Sequence, residues 1–382
     1  MPAITDVEAT AIAIPVAGEA SGSSYTKTGR GTTVVTVRTD EGDVGRVHAG
    51  DVTDSFPERA GDIVDLVENE IAPVAVGRDL LSREAVWQDA YRRSSEYFAY
   101  QQTRRFLYMH ALGAVDLAIW DAIGKRLDVP LYRLWGGYRE SLPVIAIGGY
   151  YREDRTSGDL VAEMEEYREM GLAGVKLKVG GRSPEEDLDR LATVREGMGE
   201  EFVVACDANQ GYTVDEAVAF AERAREYDVE WFEEQVAWYD QYDGMRTVRR
   251  RTGIPVAAGQ SESTPSACRR LVDGGSVDVL NLDSSLAGGP TSWLKVARMA
   301  ELHGVDMAHH EEPHVSMHLL SAVPNGRYAE VFHPDLDPVW YELVADPPRI
   351  ADGHLHLPDG PGLGIEYDEG VLAEYAVDVD VD

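Results

Sequence analysis

Apolar and polar positions alternate with a period of two over residues 4–15 and 32–39, and again over 44–47 after the turn Asp40-Glu41-Gly42-Asp43. This pattern predicts three antiparallel strands. Residues 18–31 are polar and rich in Gly and Ser and break the alternation, so a loop is expected between the first two strands. The period then lengthens to that of a helix over 55–70, over 83–91 and over the long stretch 104–127, which stops before Pro130. Strands followed by helices make this opening an α+β unit, and Gly136-Gly137 marks a change of rhythm.

From Leu142 onward, short apolar runs recur at intervals of roughly 25–30 residues, each followed by a charged helical pattern, the form that repeated βα units take in sequence. The predicted strands are 142–147, 174–179, 202–207, 229–233, 255–259, 277–283, 305–310 and 328–332. Eight such units close into a (β/α)8 barrel of the TIM type, an α/β fold. A doubly wound sheet with a dinucleotide fingerprint is excluded, because no G-x-G-x-x-G follows the first strand. The expected organisation is an α+β capping domain over 1–137, the barrel over 138–346, and a tail, 347–382, that returns to the capping domain. That tail carries the Gly-rich turn Pro358-Asp359-Gly360-Pro361-Gly362-Leu363-Gly364.

Charge narrows the range of partners. The 382 residues carry 35 basic and 68 acidic side chains, a formal net charge of −33. A surface this negative repels phosphate backbones and anionic lipid, so neither nucleic acid nor a membrane is expected as a partner. No run approaches 18 apolar residues and no secretory leader opens the chain, which places the expected location in the cytoplasm. Thirty Arg against five Lys, with many scattered Asp and Glu, resembles the surfaces of halophilic proteins. The two cysteines, Cys206 and Cys268, follow no metal-ligand spacing and are too few for a disulfide framework.

Active sites of such barrels lie where strands end. There the sequence places Lys176 and Lys178, then Asp207 with Asn209, Glu233 with Glu234, Gln260 with Glu262, Asp283, His309 with His310, and Glu330. Residues two apart in a strand share a face, and apolar Val175, Leu177 and Val179 suit the helix layer, so both lysines are expected inside the barrel. With only five lysines in the chain, random placement would give about 0.065 pairs at this spacing. Asp207 and Glu233, with an oxygen ligand from the fifth strand, are hard donors that favour Mg2+ over Zn2+. Such a cation stabilises the enediolate formed when a carboxylate substrate loses its weakly acidic α-proton.

Taken in order, these residues resemble the enolase superfamily in its mandelate racemase-like (mandelate racemase/muconate lactonizing enzyme) branch. The resemblance runs over nearly the whole chain. It rests on Thr39-Asp40-Glu41-Gly42, Ala118-Ile119-Trp120-Asp121-Ala122-Ile123-Gly124-Lys125, Leu134-Trp135-Gly136-Gly137, Val175-Lys176-Leu177-Lys178, Asp207-Ala208-Asn209-Gln210 and Trp231-Phe232-Glu233-Glu234. Asp283 before Gly288-Gly289, His310, and Pro361-Gly362-Leu363-Gly364 complete it. It implies that Lys178 is one acid/base catalyst, with Lys176 lowering its pKa and helping to hold the substrate carboxylate. Asp207 and Glu233 would be metal ligands, with Asn209 beside the substrate. His310 would be the second catalyst, oriented and made more basic by Asp283, and Glu330 would hydrogen-bond the substrate carboxylate. It also implies a homo-oligomer, a dimer or an octamer.

Two positions depart from the family pattern. Gln260 stands where a third carboxylate ligand is expected, so the ligand is either its amide oxygen or Glu262; Gln235 stands where Pro is frequent. The stretch His310-Glu311-x-x-His314 also fits the zinc pattern H-E-x-x-H, but that pattern needs one continuous helix and Pro313 would break it. His314 and His318 are expected on a helix face. The expected activity is Mg2+-dependent removal of the α-proton of a small-molecule carboxylate, by a sugar-acid dehydratase (a lyase) that yields a 2-keto-3-deoxy acid. The alternatives are a racemase or epimerase using the same two bases, and a non-catalytic metabolite-binding barrel.

Overall fold

The computed structural model describes residues 2–23, 25–53, 60–97, 101–153 and 155–377. Eight short strands stand where the apolar runs predict them: β4 (Ser141–Gly148), β5 (Gly174–Lys178), β6 (Val203–Asp207), β7 (Phe232–Glu233), β8 (Val256–Ala258), β9 (Val279–Asn281), β10 (Asp306–Ala308) and β11 (Ala329–Val331), after the capping strands β1–β3 described below. Neighbours from β4 to β10 pair in parallel and β11 pairs with β4. The ring closes through hydrogen bonds from Met307 N to Asn325 O (2.7 Å) and from Arg327 N to Met307 O (2.8 Å). Alternation along the strands sorts side chains into layers. Ile145, Ala205, Trp231, Ala257, Val279 and Ala308 fill the barrel interior as one apolar cluster. Val175, Leu177, Val204, Phe232 and Leu280 face the helices. Above the apolar plug, the inward positions become Lys, Asp, Glu and His.

The capping sheet is built from β1 (Ile4–Ser21), β2 (Thr26–Thr39) and β3 (Val44–Thr53), antiparallel in that order. The loop expected over 18–31 is mostly strand. Ala20 pairs with Lys27 and Ser21 with Thr26, so β1 and β2 form one long hairpin with a register shift between Pro15 and Ala20. Alternation is lost there because the hairpin end packs on the barrel rather than on its own sheet: Ala20 and Tyr25 join Ile147, Tyr150, Phe332 and Leu336 in one cluster. Of the helix expected over 55–70, the part from Ala60 is helical, with a π-helical segment at Leu66–Ile71; residues 55–59 lie outside the described residues.

The helix Gln102–Leu127 is long and apolar enough to cross a membrane, yet 94% of its most apolar window is buried in this fold, so it is a core helix. It lies between the cap and the barrel. A Cβ on Gly45 of β3 would sit 1.9 Å from Ala118 O, and one on Gly113 of the helix 2.3 Å from Ser285 O in the loop after β9; only glycine permits both approaches. Two buried acids on this helix fix what surrounds it. Asp116 accepts from Thr291 N and Oγ1, each at 2.8 Å, and Asp121 accepts from Arg46 N and Leu363 N, each at 2.9 Å. The family-like segments around Trp120 and around Leu363 are therefore joints of the fold. In the tail, β12 (Ile350–Ala351) and β13 (His354–His356) extend the sheet antiparallel to β4, and β14 (Ala376–Val377) pairs with β1 in the capping sheet.

Candidate active site at the barrel mouth

Both lysines of β5 point inward and are buried. Lys176 Nζ lies 2.8 Å from Glu233 Oε1 and 2.6 Å from Glu330 Oε1. Lys178 Nζ lies 2.7 Å from Asp207 Oδ2 and 2.9 Å from Asn209 Oδ1. Burial alone would lower both lysine pKa values, but the surrounding carboxylates outweigh it and both are raised. The expected lowering of Lys178 by Lys176 is thus overridden, because Asp207 sits closer to Lys178 in charge and in space than sequence spacing could show. Burial pushes Glu233 up and Glu330 to about 7, whereas Lys178 and Lys176 hold Asp207 below its usual value against burial. Strands β4 and β5 are locked at this end by Arg190, which donates to Lys178 O at 2.7 Å and to Gly149 O.

Asp207 and Glu233 close adjacent strands, paired in register. Asp207 Oδ1 accepts from Asn209 N (2.9 Å); Glu233 Oε1 also accepts from Asn281 Nδ2 (2.7 Å) and Oε2 from Trp231 Nε1 (2.8 Å). Of the two candidates after the fifth strand, Glu262 is engaged elsewhere: its Oε1 accepts from Gln241 Nε2 at 3.1 Å and Tyr242 OH at 2.8 Å, which favours Gln260 as the third ligand. Gln260 follows Gly259, whose φ of 131° turns the chain at the end of β8. Its Oε1 is buried and has no hydrogen-bond partner among the described residues. A buried acceptor left without a donor is costly unless something positive reaches it. Two carboxylates and this amide oxygen would together make an all-oxygen donor set of the kind that suits Mg2+.

Across the mouth, His310 Nδ1 lies 3.3 Å from Asp283 Oδ2. The dyad is formed, but burial lowers the imidazole pKa to about 3, so Asp283 orients His310 without raising its basicity as expected. Burial and then Glu312 push the Asp283 carboxyl well above its ordinary value. Ser285 Oγ donates to both oxygens of Glu312. His309 is not part of the mouth: its Nε2 accepts from Ser284 N at 3.0 Å. The zinc pattern is broken as expected, since the helix starts at Pro313 and His314 turns to the cap, where Nε2 meets His48 O at 2.8 Å and the ring packs 3.6 Å from that of His48. His318 Nε2 meets Leu363 O at 3.0 Å.

Sequence reasoning missed the group on the cap side of His310. Arg30 of β2 donates from Nη1 to Glu311 Oε2 at 2.8 Å, and its Nε lies 3.5 Å from Asp337 Oδ1; all three are buried. Glu311 and Arg30 are 281 residues apart, and no local pattern marks either. Tyr25 and Tyr150 were also missed. Their rings stand 5.9 and 5.7 Å from Lys178 Nζ and wall the cap side of the site.

Comparison with known proteins bears on both domains. Residues 7–136 match the family described as mandelate racemase / muconate lactonizing enzyme, N-terminal domain, and residues 159–371 match enolase C-terminal domain-like. A D-galactarolactone cycloisomerase of Agrobacterium fabrum is 33% identical over 78% of this chain and 81% of its own. An arabinonate dehydratase of Saccharolobus solfataricus is 29% identical over 81% and 82%. The crystal structure of a mandelate racemase/muconate lactonizing enzyme from a marine actinobacterium, in complex with magnesium, is 42% identical, covers 99% of this chain and 100% of its own, and superposes with a TM-score of 0.91. Cap, barrel and the acid, lysine and histidine positions at its mouth come together in one assignment: this chain belongs to the enolase superfamily, in its mandelate racemase/muconate lactonizing enzyme branch.

Proposed function

We propose that this enzyme is a Mg2+-dependent sugar-acid dehydratase that converts a 2,3-dihydroxy acid to a 2-keto-3-deoxy acid. The observation that carries the reading is the pair of proton carriers on different sides of one mouth: Lys178 at the end of β5 and His310 after β10, with the carboxylates of β6 and β7 beside the lysine. Asp207, Glu233 and the amide oxygen of Gln260 would hold the cation, which when bound supplies positive charge for the oxygens of the substrate carboxylate as its α-proton leaves. Lys176 and Glu330, already joined at 2.6 Å, sit where they can hold that carboxylate. Asp207 is the main cause of the raised Lys178 pKa; with the Asp207 charge engaged by the cation that cause is removed, and Lys178 Nζ, then neutral, accepts the proton from carbon 2. His310 is neutral in the empty site; the anionic substrate entering the mouth raises its pKa, and His310 Nε2, then protonated, donates to the oxygen on carbon 3, the C3–O bond breaks, and water departs. The resulting enol loses the proton on its carbon 2 oxygen as carbon 3 gains one, giving the 2-keto acid. Tyr25 and Tyr150 exclude water from the lysine side. The relatives named as an arabinonate dehydratase and a galactarolactone cycloisomerase support a sugar-acid substrate.

A panel of sugar acids incubated with the protein and Mg2+ in concentrated salt tests this. Formation of a 2-keto acid from at least one, dependent on Mg2+, is the expected result; return of only two epimers, each carrying solvent deuterium in D2O, would make the enzyme an epimerase instead.

A further inference from the structure

After β10 the backbone passes through two successive left-handed residues, Glu311 (φ 51°) and Glu312 (φ 48°), neither of them glycine. Side chains rarely tolerate this conformation, and where it occurs in succession the surroundings must enforce it. The turn brings the Glu311 carboxylate back over the imidazole: Oε1 lies 3.5 Å from His310 Nε2, the nitrogen turned away from Asp283. Glu311 N donates to Glu330 Oε2 at 3.1 Å, so the same residue also touches the acid at the carboxylate end of the site. The other carboxylate oxygen is held by Arg30 at 2.8 Å.

The charges on this side are balanced. Arg30 faces both Glu311 and Asp337, and Lys27, whose Nζ stands 3.7 Å over the Phe332 ring, attracts the same two carboxylates. Two cations thus meet two anions, all buried. Against burial, which opposes it, Arg30 and, more weakly, Lys27 hold the Glu311 carboxyl well below its ordinary pKa, so it is ionised at neutral pH.

Because His310 serves carbon 3, the rest of the substrate chain must run past Nε2 toward Glu311. We infer that Glu311, clamped by Arg30, is a specificity-determining residue that selects aldonates, with one carboxylate and an uncharged polyhydroxyl tail, over aldarates, with a carboxylate at each end. A hydroxyl donates a hydrogen bond to the Glu311 carboxylate. A second carboxylate would meet a like charge in a buried site, and Arg30, the cation that would receive it, is already shared between two acids. This inference rests on the dehydratase reading, which fixes the direction of the substrate chain.

The test compares aldonates and aldarates matched in length and configuration, with Mg2+, reading 2-keto acid formation and α-proton exchange in D2O. The wild type should show kcat/KM at least tenfold higher for the aldonate of a matched pair. Glu311→Gln should narrow that ratio about tenfold, mainly by lowering KM for the aldarate. Asp337→Asn, which leaves Glu311 in place and gives Arg30 one carboxylate instead of two, should narrow it in the same direction. An aldarate used by the wild type as well as its matched aldonate overturns the inference while the dehydratase reading stands. So does an aldonate preference that neither variant changes. If no acid of either series exchanges its α-proton, the dehydratase reading fails first and takes this inference with it.

Discussion

Gln260→Glu should tighten Mg2+ binding about a hundredfold. The change puts a unit negative charge in place of an amide oxygen that is buried and has no hydrogen-bond partner among the described residues. The residue itself is partly open to solvent, so an effective dielectric constant of about 40, between interior and water, applies; a unit charge about 4 Å from a divalent ion is then worth about 4 kcal/mol. Part of this is lost to protonation. The neighbouring Glu234, whose Oε1 accepts from Gly259 N at 3.0 Å, has its pKa pushed up to about 8 by burial, and a new carboxyl beside it should behave alike. Releasing that proton at pH 7 costs about 1.4 kcal/mol. The remainder, about 2.5–3 kcal/mol, is roughly two powers of ten in Kd. Calorimetric titration with MgCl2 at pH 7 and fixed salt reads it, with Gln260→Ala expected to weaken binding and Glu262→Gln to leave it unchanged. Loss of binding in Glu262→Gln with retention in Gln260→Ala would refute the reasoning, because it would mean the hydrogen bonds that hold Glu262 away are broken in solution.

The two proposed proton carriers should be separable in D2O: His310→Asn should still exchange the α-proton of a substrate that presents it to Lys178 yet form no product, and Lys178→Ala should show the opposite stereochemical selectivity. Full turnover in both variants would end the two-carrier assignment. His110 is buried with no hydrogen-bond partner for either ring nitrogen among the described residues, and burial lowers its pKa to about 3. A depressed histidine pKa gives stability that is present above about 6.5 and lost as pH falls toward 3, by about 2 kcal/mol at pH 5. His110→Leu should therefore stabilise the fold by about 1–2 kcal/mol at pH 7 and flatten its loss of stability at pH 5 in denaturant titrations; a less stable variant with unchanged acid sensitivity would contradict this. Finally, with a net charge of −33, the melting temperature should rise between about 0.1 and 2 M NaCl as screening shortens to a few ångströms; a flat or falling curve would remove the expectation of salt adaptation.

The eight barrel strands were legible because a strand buried on both sides is a short apolar run, and the catalytic end of each is where that run meets a charged residue. Lys176 and Lys178 could be placed inside for the same reason: their neighbours Val175 and Leu177 are apolar and one residue out of phase. The hairpin end of β1 and β2 was not legible, since Ala20 and Tyr25 pack against residues more than a hundred positions away and need no local alternation. Residue order leaves Gln260 and Glu262 open as alternatives, because the hydrogen bonds from Gln241 and Tyr242 that engage Glu262 come from about 20 residues away. The proton balance of the site was the least accessible part. Whether Lys178 or His310 carries a proton depends on burial and on distances of about 3 Å to Asp207 and Asp283, and neither quantity has a signature in residue order.

The pairing of β14 with β1 has a consequence for synthesis of the chain. Growth on the ribosome is directional, and domains commonly fold in the order they emerge. Here an edge strand of the first sheet is Ala376–Val377, so that sheet stays one strand short until more than 350 residues after its first strand begins have been made. Through most of that interval the helix Gln102–Leu127, made early and apolar on nearly every side, has a barrel to lie against only as the barrel itself is produced. A nascent chain of this kind presents a long greasy rod to its surroundings for the time it takes to add roughly two hundred residues, and a chaperone that shields such rods should raise its yield of native protein more than its final stability would suggest.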